Sequence, residues 1–228
     1  MTPVKNFSRS LTGIAVGFGA ECARFIKLSF IVGSKAAFFS AGHCVSPLVG
    51  LYSGVGMSVI ALCIRSSLTS YTLHMTPHLA LAYHIPTFFA ALYLATIAQP
   101  KVNFLQRAGM ALLIVACFAA FGLHSVGSQA VAYTAFWLIP LLSTLIAHNN
   151  RFFHALASTF TAHAVGSVIW LYSVGPVSPA AWLALMPVVV VERLLFASGM
   201  TLCMLAVAAG KKLVAKRAAL LETAPHIS

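Results

Sequence analysis

This sequence predicts an all-α fold, a polytopic transmembrane helical bundle of six helices or seven, and three observations carry that expectation. Hydrophobic residues make up 60% and charged residues 7% of the 228, whereas soluble domains are about a quarter charged. Apolar runs of about 20 residues, the length that spans a bilayer as a helix, recur from one end of the chain to the other. Between them lie short stretches rich in Pro, Gly or polar residues, which interrupt helices. The runs leave no room for a soluble catalytic domain. They organise the chain as a single transmembrane domain over 1–210, followed by a cytoplasmic amphipathic tail over 211–228.

Taken in order, the runs place helices over 11–33, 46–64, 78–98, 104–124, 129–147, 152–174 and 180–209. The breaks fall at "SSLTSYTLHMTP", "AQPKVN", "HSVGSQ", "AHNNR" and "SVGPVSP". The start, with Lys5 and Arg9 ahead of "LTGIAVGFGA", has the outline of a signal peptide. Its apolar part is glycine-rich and is followed at once by Arg24 and Lys27, so it is expected to be retained. Around "FSAGHCVSPLVGLYSG" the Gly and Pro content suits a broken or re-entrant element. The stretch "KKLVAKRAALLE" suits an interfacial helix.

The net charge of +11 does not point to nucleic acid, because Lys and Arg sit mostly at the ends of apolar runs, where they orient helices. The four cations of 211–217 place the C-terminus in the cytoplasm, and Arg151 and the Lys101/Arg107 pair then fall on the same side. Counting further back, Arg65, Lys5 and Arg9 fall outside if both early helices span fully, so the rule breaks there. A single full crossing within residues 1–66 repairs it, giving six crossings in a multi-pass protein of the cell membrane.

Only three acidic residues occur, Glu21, Glu192 and Glu222. Glu192 stands beside Arg193 near the middle of "LALMPVVVVERLLFASGMTLCMLA", where an isolated charge costs about 2.5–3.5 kcal/mol to insert. Both side chains are therefore expected to face the bundle interior. Adjacent helical residues point about 100° apart, so each is expected to reach a different neighbour rather than the other. His163, at similar depth in "STFTAHAVGSVIWLY" with Thr159, Gly166 and Ser167 on its face, is the candidate partner for Glu192. A polar substrate site and a structural clamp are both open readings.

Trp170, Tyr172 and Trp182 cluster where the last two runs meet, and Tyr133 and Trp137 begin the fifth. They suit an interfacial aromatic belt or a pocket for a ring-shaped ligand. Small residues recur every four positions, as Gly13 and Gly17, as Ala15, Gly19 and Ala23, and as Gly50 and Gly54; such spacing lets helices approach closely. Glu21 and Arg24, three apart, are placed to neutralise each other. The five cysteines, Cys22, Cys44, Cys63, Cys117 and Cys203, show no CxxC spacing, so neither a zinc site nor a disulfide framework is expected. Nine histidines without an HExxH motif give a poor signature for a metal or redox enzyme. Ser53 in "GLYSG" matches no usual nucleophile motif. No catalytic residue, metal or cofactor is expected.

The stretch "FSAGHCVSPLVGLYSGVGMSVIALCIRS" resembles, in its Phe-Ser, Pro-Leu and repeated Gly positions, the early segment of the membrane-embedded substrate-binding (S) components of energy-coupling-factor vitamin transporters. The resemblance implies a six-helix protein with both ends cytoplasmic. It implies docking of Ala15, Gly19 and Ala23 on a transmembrane coupling subunit, with ATPase subunits supplying the energy; the chain itself has no nucleotide-binding loop motif. It also implies a vitamin or related ring-containing nutrient held near the outer side, where the aromatic residues and "AAFFSAGHC" meet. An intramembrane redox or hydrolytic enzyme using histidines, and an accessory subunit with no ligand, are the alternatives.

Overall fold

The structure is a computed structural model, and it describes residues 3–28, 40–146, 149–173 and 178–222. Ten α-helices and one 3-10 segment are described: α1 Pro3–Ala23, α2 Gly42–Val45, α3 Leu48–Thr72, α4 Pro77–Thr96, α5 Phe104–Leu123, α6 Ser125–Gln129, the 3-10 segment Val131–Trp137, α7 Leu138–Leu145, α8 Arg151–Ser173, α9 Pro179–Ala184 and α10 Met186–Glu222. Five of them, α3, α4, α5, α8 and α10, contain stretches long and apolar enough to cross a membrane, and two shorter apolar segments, Leu11–Ala23 and Val131–Leu145, accompany them. The all-α bundle expected from the sequence is what the chain adopts. Large side chains such as Ile64, Leu112, Leu123 and Leu202 are exposed on its outside, a surface suited to lipid rather than to water.

Local chemistry sets the helix ends. Asn103 and Gln106 form a reciprocal cap at the start of α5, with Asn103 Oδ1 accepting from the Gln106 N–H at 2.8 Å and Gln106 Oε1 accepting from the Asn103 N–H at 3.0 Å. Pro77 and Pro179 occupy the first turns of α4 and α9, where a missing N–H costs nothing. Pro86 lies inside α4. Gly166 of α8 packs against its ring, with room for a Cβ only 3.4 Å from Pro86 Cγ.

The core is built on α4 and α8. α3 packs on α4, α4 on α8, and α8 on α10, while α5 and α7 close the other side and α1 leans on α2 and α3. Leu48, Tyr93, Leu94, Ile114, Phe121, Trp137 and Met200 are fully enclosed. Hydroxyls stitch the layers at membrane depth: Tyr93 Oη and Ser143 Oγ lie 2.6 Å apart, and Ser158 Oγ donates to the Ala90 carbonyl at 2.9 Å.

Four expectations are refined. The element around "FSAGHCVSPLVGLYSG" is broken as anticipated: α2 is a single turn, and α3 is interrupted at Gly54, whose φ of 81° and ψ of −171° lie in a region essentially reserved for glycine. The expected helix over 129–147 instead opens as the 3-10 segment before becoming α7. The last run divides at Leu185 into α9 and α10. Finally, α10 runs unbroken past residue 210 to Glu222, so 211–222 continues the last helix without a break. Lys211 stays close to the bundle, its Nζ 5.0 Å from the Tyr52 ring centre.

Candidate functional site

The charges inside α10 are buried: Glu192 is 6% and Arg193 7% exposed. They pair with each other, Arg193 Nη2 to Glu192 Oε2 at 3.2 Å, which corrects the expectation that each reaches a different neighbour. The 100° between adjacent Cβ directions is spanned because both side chains are long, and the cost of a lone buried charge holds their heads together. Arg193 Nη1 also reaches the Thr159 carbonyl of α8 at 3.5 Å, and the guanidinium lies 5.0 Å from the ring centre of Phe196. The other face of the Phe196 environment is closed by His43 of α2, stacked at 6.1 Å. The pair is therefore a junction of α10, α8 and α2.

His163 is not the partner of Glu192: among the described residues no hydrogen bond joins them. Its ring instead meets Tyr133 at 5.3 Å and Phe160 at 6.1 Å, within Coulombic range of Arg193.

Tyr133 is the hub of a ring cluster. Besides His163 it touches Trp182 at 4.9 Å and Phe121 at 5.8 Å, and Phe121 in turn meets Trp182 and Trp137, each at 5.3 Å. Three elements bring these rings together. The 3-10 segment presents Tyr133 and Trp137 to the interior. Short α9, started by Ser178 Oγ accepting from the Ala181 N–H at 3.2 Å, drops Trp182 onto them. α8 supplies His163 and Ser167, whose Oγ lies 3.4 Å from Tyr133 Oη. The turn beside the cluster depends on Gly127, since a Cβ there would collide with the Phe121 carbonyl.

The polar atoms of this cluster are incompletely used. Trp137 Nε1, Trp182 Nε1 and His163 Nε2 are buried and have no hydrogen-bond partner among the described residues. An indole N–H is a donor only, and a buried donor left unmade costs about 1–3 kcal/mol.

Of the expected site residues, Tyr133, His163 and Trp182 converge, and Glu192 and Arg193 lie alongside on α10. Trp170 and Tyr172 lie on the exposed side of α8. Trp170 is 44% exposed and Tyr172 57%. The Tyr172 hydroxyl donates to the Ala120 carbonyl at 2.8 Å and its ring meets the edge of His124, the arrangement of an aromatic belt. Of "AAFFSAGHC", residues 36–39 lie outside the described residues.

The small-residue positions of α1 separate into two faces. Gly13 accommodates Ser53 and Gly17 faces Val49, both on α3, so this face is internal. Ser53, recessed in that seam, belongs to packing. Ala15 is exposed, Gly19 and Ala23 are half-buried, and a Cβ on Gly19 would meet nothing within 4 Å among the described residues.

A second ionic cluster was not anticipated in full. Glu21 pairs with Arg24 at 3.2 Å, as its spacing predicts, and also with Arg65 Nε of α3 at 2.8 Å. Nearby, His84 Nε2 and Thr69 Oγ1 lie 2.8 Å apart, and Arg65 and His84 line a void of about 20 Å³. The signal for Arg65 was a cation inside the apolar run "ALCIRSS" with Glu21 on the preceding helix; His84 carried none.

Among the described residues, no group of three or more His, Cys, Asp or Glu side chains is placed to hold a metal ion. No family model, curated protein or solved structure matches the chain. What stands on the structure alone is a multi-pass membrane helical bundle with one buried ion pair, one half-buried ionic cluster and a ring cluster between its later helices.

Proposed function

We propose that the protein is the membrane-embedded binding component of an uptake system, taking a small, planar, ring-containing nutrient from outside and passing it inward with a partner ATPase. The observation that carries this reading is the set of buried, unpartnered nitrogens around Tyr133: Trp137 Nε1, Trp182 Nε1 and His163 Nε2. Rings favour a flat ligand by stacking, and two donor-only indoles call for acceptor atoms on it. The Glu192–Arg193 pair, beside the cluster and tied to α2, α8 and α10, is suited to link an occupied site to helix movement. The chain has no nucleotide-binding motif, so energy comes from another protein. The open face of Ala15, Gly19 and Ala23 fits close approach by a helix of such a partner. Both features agree with the resemblance to vitamin-transporter S components.

Purification of the full chain in mild detergent, followed by native mass spectrometry, tests this. A retained small molecule and a co-purifying ATPase with its coupling subunit are the expected result. Trp182→Phe, which keeps a ring but removes the N–H, should lower ligand retention about tenfold, the weight of one lost hydrogen bond to a buried donor. Recovery of a lone chain without ligand or partner from its native membrane, or unchanged retention in Trp182→Phe, overturns the reading.

A further inference from the structure

A cleft of about 440 Å³ opens between α4 and α5, within the range of roughly 300–1,000 Å³ typical of small-molecule sites. These helices follow one another along the chain, yet α4 packs on α3 and α8 while α5 packs on α7 and α8, and the two scarcely meet. One wall is Phe89, Leu92 and Thr96 of α4; the other includes Leu105, Gly109 and Ala116 of α5. A Cβ on Gly109 would meet nothing within 4 Å, so the cleft reaches to the α5 backbone.

A space with apolar walls does not hold water, and both helices that form it are long and apolar enough to cross a membrane. Its polar lining, Thr96 and Gln106, lies at one end, where α4 finishes and α5 begins. Thr96 Oγ1 donates to the Leu92 carbonyl at 2.7 Å and Gln106 Oε1 accepts from the Asn103 N–H in the α5 cap at 3.0 Å, so the polar atoms are gathered at that end and the rest of the lining is apolar. The connection joining these ends carries Lys101, which is exposed. The other cation there, Arg107, is committed to the Thr144 carbonyl at 2.7 Å. An apolar slot whose polar end adjoins a connection carrying an exposed cation is complementary to a hydrocarbon tail bearing an anionic head.

We propose that the cleft between α4 and α5 is a lipid site holding an acyl chain of an anionic phospholipid, with the headgroup at Lys101. It is independent of the ring cluster and of the transport reading.

The test uses the full chain in mild detergent, native mass spectrometry, and added phosphatidylglycerol or phosphatidylcholine. The wild type is expected to retain one lipid and to prefer phosphatidylglycerol about fivefold, the weight of one lysine beside an anionic headgroup. Lys101→Gln should remove the preference but keep the lipid. Gly109→Leu should remove the retained lipid of both kinds without lowering thermal stability, because its side chain enters open space. If Gly109→Leu fails to fold, Ala116→Phe on the same wall repeats the test. Equal retention of the two lipids by the wild type overturns the proposal. So does lipid retention unchanged in the groove-filling variant, or a co-purifying polypeptide that this variant displaces in place of lipid.

Discussion

Glu192→Gln and Arg193→Leu, made singly, are each expected to destabilise the bundle by about 3–5 kcal/mol, because each leaves the other member buried without its counter-charge. Arg193→Leu strands a carboxylate that is 6% exposed, and Glu192→Gln strands a guanidinium held otherwise by the Thr159 carbonyl and the Phe196 ring. The double variant removes both charges, so most of the loss should return, and a thermal-unfolding cycle in detergent measures the difference as a coupling energy. Ligand retention supplies the second readout. Under the proposed uptake role, all three variants are expected to lose uptake, while His163→Ala, which removes a ring of the Tyr133 cluster but no charge, should only weaken it. Costs that simply add in the double variant would show that the 3.2 Å contact does not couple the two residues. Wild-type retention in the refolded double variant would reduce the pair to a structural clamp.

That pair shows what composition conveys and what it omits. Two charges in an apolar run must face inward, since lipid exposure costs too much, and both residues are buried. Which partner each selects depends on side-chain torsions and on the neighbouring helices, and helical angle alone misjudged it. The ring cluster was legible in the same partial way. Tyr133 and Trp182 announced themselves as aromatics at run ends. Only the 3-10 segment and the short α9 turned them inward, whereas Trp170 and Tyr172 on regular α8 remained outside. A 3-10 turn and a helix of six residues leave almost no periodic signal.

Arg65 accounts for part of the break in the cation count in the first third of the chain. The apolar runs place it just past a helix, as a marker of one side of the membrane. In the structure it lies within α3, which extends to Thr72, and its charge is taken by Glu21 of α1. A cation neutralised inside the bundle carries no topological information, because orientation is set by charges that remain at the membrane surface. The spacing of Glu21 and Arg24 was local and therefore readable; the contact of Glu21 with Arg65 spans two helices and was not.

The approach of α3 to α4 gives a large steric effect for a single methyl-sized change. Gly50 is buried against α4, and a Cβ built on it runs into the carbonyl group of Ala91. The obstruction is helix backbone, which cannot rotate aside as a side chain does. Gly50→Ala must therefore push apart two helices whose interface is among the most extensive in the bundle. Overpacking of this kind costs typically about 1–3 kcal/mol, and Gly50→Val, with two further methyls, is expected at or above the upper figure. Gly19→Ala is the matched control: it also adds a methyl to a helical glycine, but in open space, and should be neutral or slightly stabilising through helix propensity. Thermal unfolding in one detergent, read by the loss of the monodisperse chromatographic peak, compares the three variants directly. If Gly50→Ala unfolds with the wild type, α3 and α4 do not meet through Gly50 and Ala91. If Gly19→Ala falls with Gly50→Val, the stretch of α1 around Gly19 is covered, and the open face assigned to Ala15, Gly19 and Ala23 does not exist.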